Sequence, residues 1–461
     1  MKSITFISIF IIAASLSFAQ QRYTDASNFI QNKQYDKALA IAQDYLNHDS
    51  TDIAIKILVD LSTTDGKNPK VYEALGDAYY KMGVMELSIN DYQKAESLDS
   101  LNALLKYKTG KALEKQQSYT EAANKYLQVI GLDSTYSPAY LSLGTILFYA
   151  KQYPNAAYYL SKYLKYNTKN YDAYFFTARS FFLMQNFPSA ADVAKNGLIV
   201  FPNDIKLKKI EGISLTFSKK FAEAATVISS LPDSVFTANE FSQMGQEFKF
   251  GQQDSMAIIL MDKAVRKDST LSELNQEIAS LYLGQRKFDQ AILYYDRRIK
   301  SDSASYSSYV NKSLCYLQLQ NYDSAKASLQ QVLKIKDDYM PALTWLARTD
   351  QYMKNNEDAA DVYNKILKVV AGNEDKNKAE VSEAYGFFGY NDLVKKKYKD
   401  AVVSLKSALT YAPDNAQYHL WLAQAYAFSG NKAEAGKEYR QVLTIDPNNA
   451  DAKRGLKLLS F

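Results

Sequence analysis

Two histidines, one cysteine and an even scatter of carboxylates are all that this chain offers for nucleophilic, acid–base or metal chemistry. His48 and His419 sit at opposite ends of the sequence, so a Ser-His-Asp or Cys-His arrangement could draw on only one of them at a time. A zinc site takes three or four His and Cys ligands at short spacing, and His48, Cys315 and His419 are far apart. No Gly-rich loop follows a strand-like run, so nothing cradles a phosphate. Asp and Glu occur everywhere, and an even distribution carries no pairing signal. We therefore expect no catalytic residue, no metal site and no cofactor. Cys315 lies in a helical run and reads as a small buried apolar residue. His419 reads as an ordinary surface or groove residue, and a lone thiol forms no disulfide within the chain.

The elements that carry these residues are helices. Glycine (17) and proline (9) are scarce among 461 residues, and the hydrophobic share, 47%, is ample for a core. Small residues recur at Ala122, Ala156, Ala190, Ala224, Ala257, Ala291, Ala325 and Ala359, spaced by 34 residues with a single gap of 33. The series extends to Ala38 and Ser88 on one side and to Ala401 and Ala435 on the other. Twelve residues before each stands a second small residue, such as Gly76, Gly110, Gly144, Ala178, Gly212 and Gly245. Apolar residues around both registers follow helical spacing, as in Tyr72, Leu75, Gly76 and Tyr79. Each period thus reads as two helices that approach closely where both present a small residue.

This pattern resembles the tetratricopeptide repeat. Tyr140, Leu143, Gly144, Leu147, Ala156, Leu160 and Tyr163 fill the motif's places in one unit. Leu422, Ala423, Tyr426, Ala435, Tyr439, Val442 and Pro447 fill them near the C-terminus. The units run 19–52, 69–102, 103–136, 137–170, 171–204, 205–237, 238–271, 272–305, 306–339, 340–373, 382–415 and 416–449. Lys312 departs from the motif's Leu, and unit 205–237 loses its end at Leu231-Pro232. Residues 53–68 read as an extra or extended helix, 374–381 as a loop or prolonged helix end, and 450–461 as a capping helix. The resemblance implies an all-α, right-handed superhelical α-solenoid of about 12 helix-turn-helix repeats, with first helices on the concave face.

Lys2, the apolar run Ile4 to Phe18 and the small residues Ser17 and Ala19 read as a signal peptide over 1–19, cut before Gln20. The mature chain is then expected in the periplasm or secreted, with no membrane span. Net charge is only +5 and is mixed along the chain, so nothing calls for nucleic acid as partner. Asp-Ser before a methyl-bearing residue, as at Ser134 and Ser269, resembles an O-glycosylation site of exported bacterial proteins; turn and cap chemistry explains it equally. The resemblance implies a non-enzymatic scaffold whose concave groove takes another protein or peptide, with glycan handling for an envelope assembly or polysaccharide export machine as the alternative. Tyr35, Tyr119, Tyr153, Tyr322 and Tyr398 share one position and read as packing within their repeats. On the groove side, 69–102 presents Lys70, Glu73 and Asp77, and 238–271 presents Asn239, Ser242 and Gln246. Units 137–170 and 171–204 instead present Leu141, Thr145, Phe148 and Tyr149, then Phe175, Arg179 and Phe182, which we take as the partner-binding candidates.

Overall fold

The computed structural model describes residues 21–48 and 50–459, and among them every regular element is a helix. The protein is an all-α repeat solenoid. The leader expected over 1–19 lies outside the described residues. The chain divides into two compact units, Met1–Phe236 and Thr237–Phe461.

The first unit opens with α1 (21–31), α2 (Tyr35–Asn47) and α3 (Thr51–Thr64). Hairpins follow: α4 (Pro69–Met82) with α5 (Met85–Leu98), α6 (Ala103–Lys115) with α7 (Tyr119–Leu132), and α8 (Ser137–Tyr149) with α9 (Tyr153–Tyr166). Then come α10 (Tyr171–Leu183) with α11 (Phe187–Val200), and α12 (Ile205–Phe217) with α13 (Phe221–Ser229). The second unit holds α14 (Ala238–Phe250), α15 (Asp254–Lys267), α16 (Leu274–Gly284), α17 (Phe288–Ser301), α18 (Tyr306–Gln318) and α19 (Tyr322–Ile335). It continues through α20 (Met340–Tyr352), α21 (Asn356–Val369), α22 (Lys378–Val394), α23 (Tyr398–Tyr411), α24 (Ala416–Phe428), α25 (Lys432–Ile445) and α26 (Ala450–Leu459).

Local chemistry sets the ends of these helices. Asn68, Asn102, Asn170 and Asp204 precede first helices and accept a backbone N–H in the first turn. Within each hairpin the chain reverses through one left-handed residue. Its φ lies between 58° and 69° at Lys33, Gln117, Lys151, Gln185, Lys219, Gln252, Arg286, Gln320, Lys354 and Lys396; Gly83 and Gly430 fill the other two turns. The N–H of Ser118 returns to the Leu113 carbonyl and that of Gln117 to Glu114, which closes the last helical turn.

The second helices bury their alanines completely, among them Ala122, Ala156, Ala190, Ala257, Ala325 and Ala401. The first-helix small residues act differently from the small-on-small contact expected. A Cβ on Gly76 would lie 2.4 Å from the Tyr92 ring, and one on Gly144 would lie 2.5 Å from Leu160 Cγ. Glycine there makes room for the large side chain one helical turn beyond the small residue of the second helix. Ser88 adds its hydroxyl, donating to the Gly76 carbonyl at 2.8 Å.

Two insertions resolve into helix. Residues 53–68 contain most of α3, which packs Ile57, Leu58 and Leu61 into the first core. This extra helix leaves α2 beside α4, so α2 shares the face of the later first helices. Residues 374–381 form a short 3-10 turn and the prolonged start of α22. The weak end of unit 205–237 appears as the nine-residue α13, just before the boundary of the two compact units. Of the tyrosines that begin second helices, Tyr153 packs on Phe148 of its own repeat at 5.8 Å, as expected, whereas Tyr322 stacks on Tyr352 at 6.0 Å and Tyr398 on Phe428 at 5.4 Å, each in the following repeat.

Candidate functional site

First helices of neighbouring repeats touch along one face, α8 with α10 and α10 with α12, and what they present differs from stretch to stretch. Between α4 and α6 the face is polar and its charges are paired, beside a cavity of about 760 Å³ lined by Asp36, Lys70, Glu73, Asp77 and Lys108 among others. Lys108 Nζ lies 2.8 Å from both Glu73 and Asp77, and the Tyr92 hydroxyl donates to Asp77 at 2.6 Å. In the second unit Gln246 and Lys249 both donate to Glu277, and Arg348 makes a bidentate pair with Glu383 while stacking on Trp345. Side chains of opposite character thus satisfy each other across adjacent repeats.

From α8 to α12 rings replace ion pairs. Phe148 lies 4.8 Å from Phe176, Tyr149 lies 5.6 Å from the same ring, and Phe175 lies 5.4 Å from it. Tyr171 stacks on Phe175 at 5.9 Å. Four of the seven candidates lie together here: Phe148, Tyr149 and Phe175 meet through Phe176, and Thr145 lines the adjoining cavity. Tyr149 keeps 70% of its surface exposed. Arg179 lies over the Phe182 ring at 5.5 Å, and Phe182 turns to Phe187 at 5.7 Å, away from the cluster. Leu141, half-buried, packs against the core formed by Tyr140, Tyr163 and Ala173, as Phe175 packs against that of Tyr174 and Ala178.

Beside Tyr149 opens a cavity of about 530 Å³, lined by Glu114, Tyr119, Thr145, Ile146, Tyr149 and Ala150. Glu114 is held in place: Lys111 and the Tyr126 hydroxyl both donate to its Oε2, at 2.9 and 2.7 Å. Burial, reinforced by the Glu114 carboxylate, holds the Tyr126 phenol well above its ordinary range, so it remains a donor. Phe176, Glu114 and Tyr119 were not among the sequence candidates. Glu114 stands four residues after Gly110, and Tyr149 five after Gly144. Comparing the two registers across neighbouring repeats would have put them at one edge.

The residues with reactive chemistry are occupied elsewhere. Cys315 is fully buried, and burial pushes its thiol up to about 11. His419, expected as a surface or groove residue, is half-buried: Nδ1 lies 2.6 Å from Glu438 and Nε2 lies 2.8 Å from the Pro413 carbonyl, tying α24 to α25. The Leu-to-Lys departure at 312 is met by Asp296, 2.6 Å away. Among the described residues no group of three or more His, Cys, Asp or Glu is placed to hold a metal ion, and no helix is long and apolar enough to cross a membrane.

Three stretches, 73–137, 306–339 and 395–459, match models of the tetratricopeptide repeat. The human DnaJ homolog subfamily C member 7 is 24% identical over 207 residues, which cover 43% of this chain and 41% of that protein. A ycf37 protein of Cyanophora paradoxa is 32% identical over 94 residues, covering 20% of this chain and 54% of that one. The chain therefore spans about half or less of the length of the curated relatives it matches. Among solved structures, the C-terminal part of a repeat protein of Cytophaga hutchinsonii aligns with a TM-score of 0.34 and 18% identity, over 68% of this chain and 98% of that one. Pseudomonas aeruginosa pilF aligns with a TM-score of 0.34 and 20% identity, over 50% and 92%. The chain is a tetratricopeptide-repeat protein.

Proposed function

We propose that this chain is a non-enzymatic protein-interaction scaffold, exported after loss of residues 1–19, that holds an extended or helical segment of another envelope or secreted protein against α8, α10 and α12. Tetratricopeptide repeats stack so that each contacts only its neighbours, and the first helices form a continuous face on which a segment can lie. One observation supports placing the segment here. Other first helices pair charges beside a cavity, as at Glu73, Asp77 and Lys108, or pack rings, as at Tyr390 and Trp421. The cluster of Phe148, Tyr149, Phe175 and Phe176 combines both features: Tyr149 stays 70% exposed beside a cavity that a second exposed ring, Tyr119, also lines. Large rings that gain from leaving water make good anchors for a partner side chain.

The test is capture of envelope and secreted proteins by the purified mature chain, with cross-linking and mass spectrometry. Tyr149→Ala combined with Phe176→Ala should abolish the capture seen with wild type, with helicity retained. Undiminished capture sends the search to another face. Recovery of glycan instead of protein favours the polysaccharide-handling alternative. Export is checked separately by N-terminal sequencing, with Gln20 expected first; Met1 retained in a membrane fraction counts against it.

A further inference from the structure

We infer that the cavity beside Tyr149 receives a lysine or arginine side chain of the bound segment, an inference that rests on the groove reading above. Its walls decide the chemistry. Glu114 is the only charged group among the six lining residues. Both hydrogen bonds that Glu114 receives among the described residues fall on Oε2, so Oε1 keeps its acceptor capacity. Tyr119 and Tyr149, 51% and 70% exposed, stand at the rim with ring surface open to an incoming group. Ile146 and Ala150 supply apolar wall along which an aliphatic stem can lie.

A cationic head fits this arrangement better than an anion or a bare hydrocarbon. Ring faces are electron-rich and attract ammonium and guanidinium groups. The Glu114 carboxylate in the lining then supplies a charge-assisted hydrogen bond. An anion would meet Glu114 head-on, and an aliphatic end would leave Oε1 buried without a donor. Three cations of the protein lie nearby. Lys111 pairs with Oε2 from its own helix, Lys115 lies over the Tyr80 ring at 4.6 Å, and Lys151 is exposed in the hairpin turn; none of them lines the cavity. The partner segment is thus expected to carry a basic residue next to apolar ones, the latter seating on Phe148 and Phe176.

Four fluorescein-labelled heptapeptides test this, Ser-Leu-Gly-Xaa-Gly-Leu-Ser with lysine, arginine, norleucine or glutamate at the varied position. Fluorescence polarisation with the mature chain should rank lysine and arginine about fivefold or more above norleucine, and glutamate last. Glu114→Gln keeps an acceptor for Tyr126 and should cut the lysine-over-norleucine preference below about twofold, with norleucine binding unchanged. Tyr149→Ala should weaken the lysine and arginine peptides about two- to fivefold, and its exposure means the fold does not depend on it. Norleucine binding as well as lysine, or an unchanged preference in Glu114→Gln, overturns the cation pocket. If that happens while Phe176→Ala still abolishes peptide binding, the groove reading survives alone. Absence of binding by all four peptides overturns both.

Discussion

The stretch α4–α7 and the stretch α8–α12 use the same hairpin, yet they hold together by opposite means. In the first, charges are drawn inward and paired. Glu96, 7% exposed, takes hydrogen bonds from Lys125 and Thr109 and lies 3.3 Å from Lys106. Burial opposes its ionisation, but those bonds and charges outweigh it and hold its carboxyl below the ordinary value. On the other face Lys108 closes Glu73 and Asp77. In the second stretch, rings touch rings, and α8 carries no charged residue at all. A polar face whose members pair internally has little left to offer a partner, because each new contact must break an old one. A ring cluster remains attractive after its internal contacts are made, since any surface still wet gains from being covered. The two stretches differ in packing surplus, not in hairpin geometry.

The comparison breaks most visibly at Glu96. Glu96→Ala strands Lys106 and Lys125 near a buried hole and should cost about 3 kcal/mol or more, read as loss of exchange protection centred on α5–α7. A cost under about 1 kcal/mol would mean the ion network is decorative. The counterpart in the ring stretch is Gly144→Leu, which forces bulk against Leu160 at a cost of about 1–3 kcal/mol. Protection should loosen first in α8 and α9, since each repeat leans mainly on its neighbours. Uniform loss along the chain would count against that independence.

Asp91 sharpens the contrast through pH. Burial raises its carboxyl from 3.8 to about 6, with no charged partner to offset it. The folded chain therefore holds a proton that the unfolded chain has released between roughly pH 4 and 6. Stability falls as pH rises through that window, and the full penalty remains above it. Asp91→Asn should stabilise α4–α7 at pH 7, make little difference near pH 3.5, and leave α8–α12 unaffected at either. The smallest effect belongs to Tyr149→Ala, expected to move stability by less than about 0.5 kcal/mol while weakening the lysine and arginine peptides about two- to fivefold. A drop like that of Glu96→Ala would make Tyr149 a structural residue.

Much of this was legible in the sequence for a definite reason. The period was readable because Gly76, Gly110 and Gly144 stand against Tyr92, Tyr126 and Leu160, where any Cβ collides. Phe148, Tyr149 and Phe175 could be grouped from the sequence because all three lie on first helices outside the hairpin contact. Leu141 shows that the same helical stripe also meets the next repeat, and periodicity does not separate those two directions. Phe176 escaped because it follows Phe175 directly, and neighbours one apart point to different sides of a helix. Glu114 escaped because a cavity shared by two repeats has no signature within either. The side taken by α2 depends on where α3 packs, which no local pattern encodes.

The left-handed residue in every hairpin turn implies a reserve of untapped robustness. An L-residue in that conformation is held against a steric cost of about 1–2 kcal/mol, which glycine avoids while giving back about 0.5–1 kcal/mol in chain freedom. Ten of the twelve turns carry Lys, Gln or Arg there. Glycine at any one should gain roughly 0.5–1 kcal/mol, and the turns are far enough apart along the chain for the gains to accumulate. An engineer, or natural drift, could harden this molecule repeat by repeat and offset damaging changes elsewhere, without altering a single ring of the α8–α12 cluster.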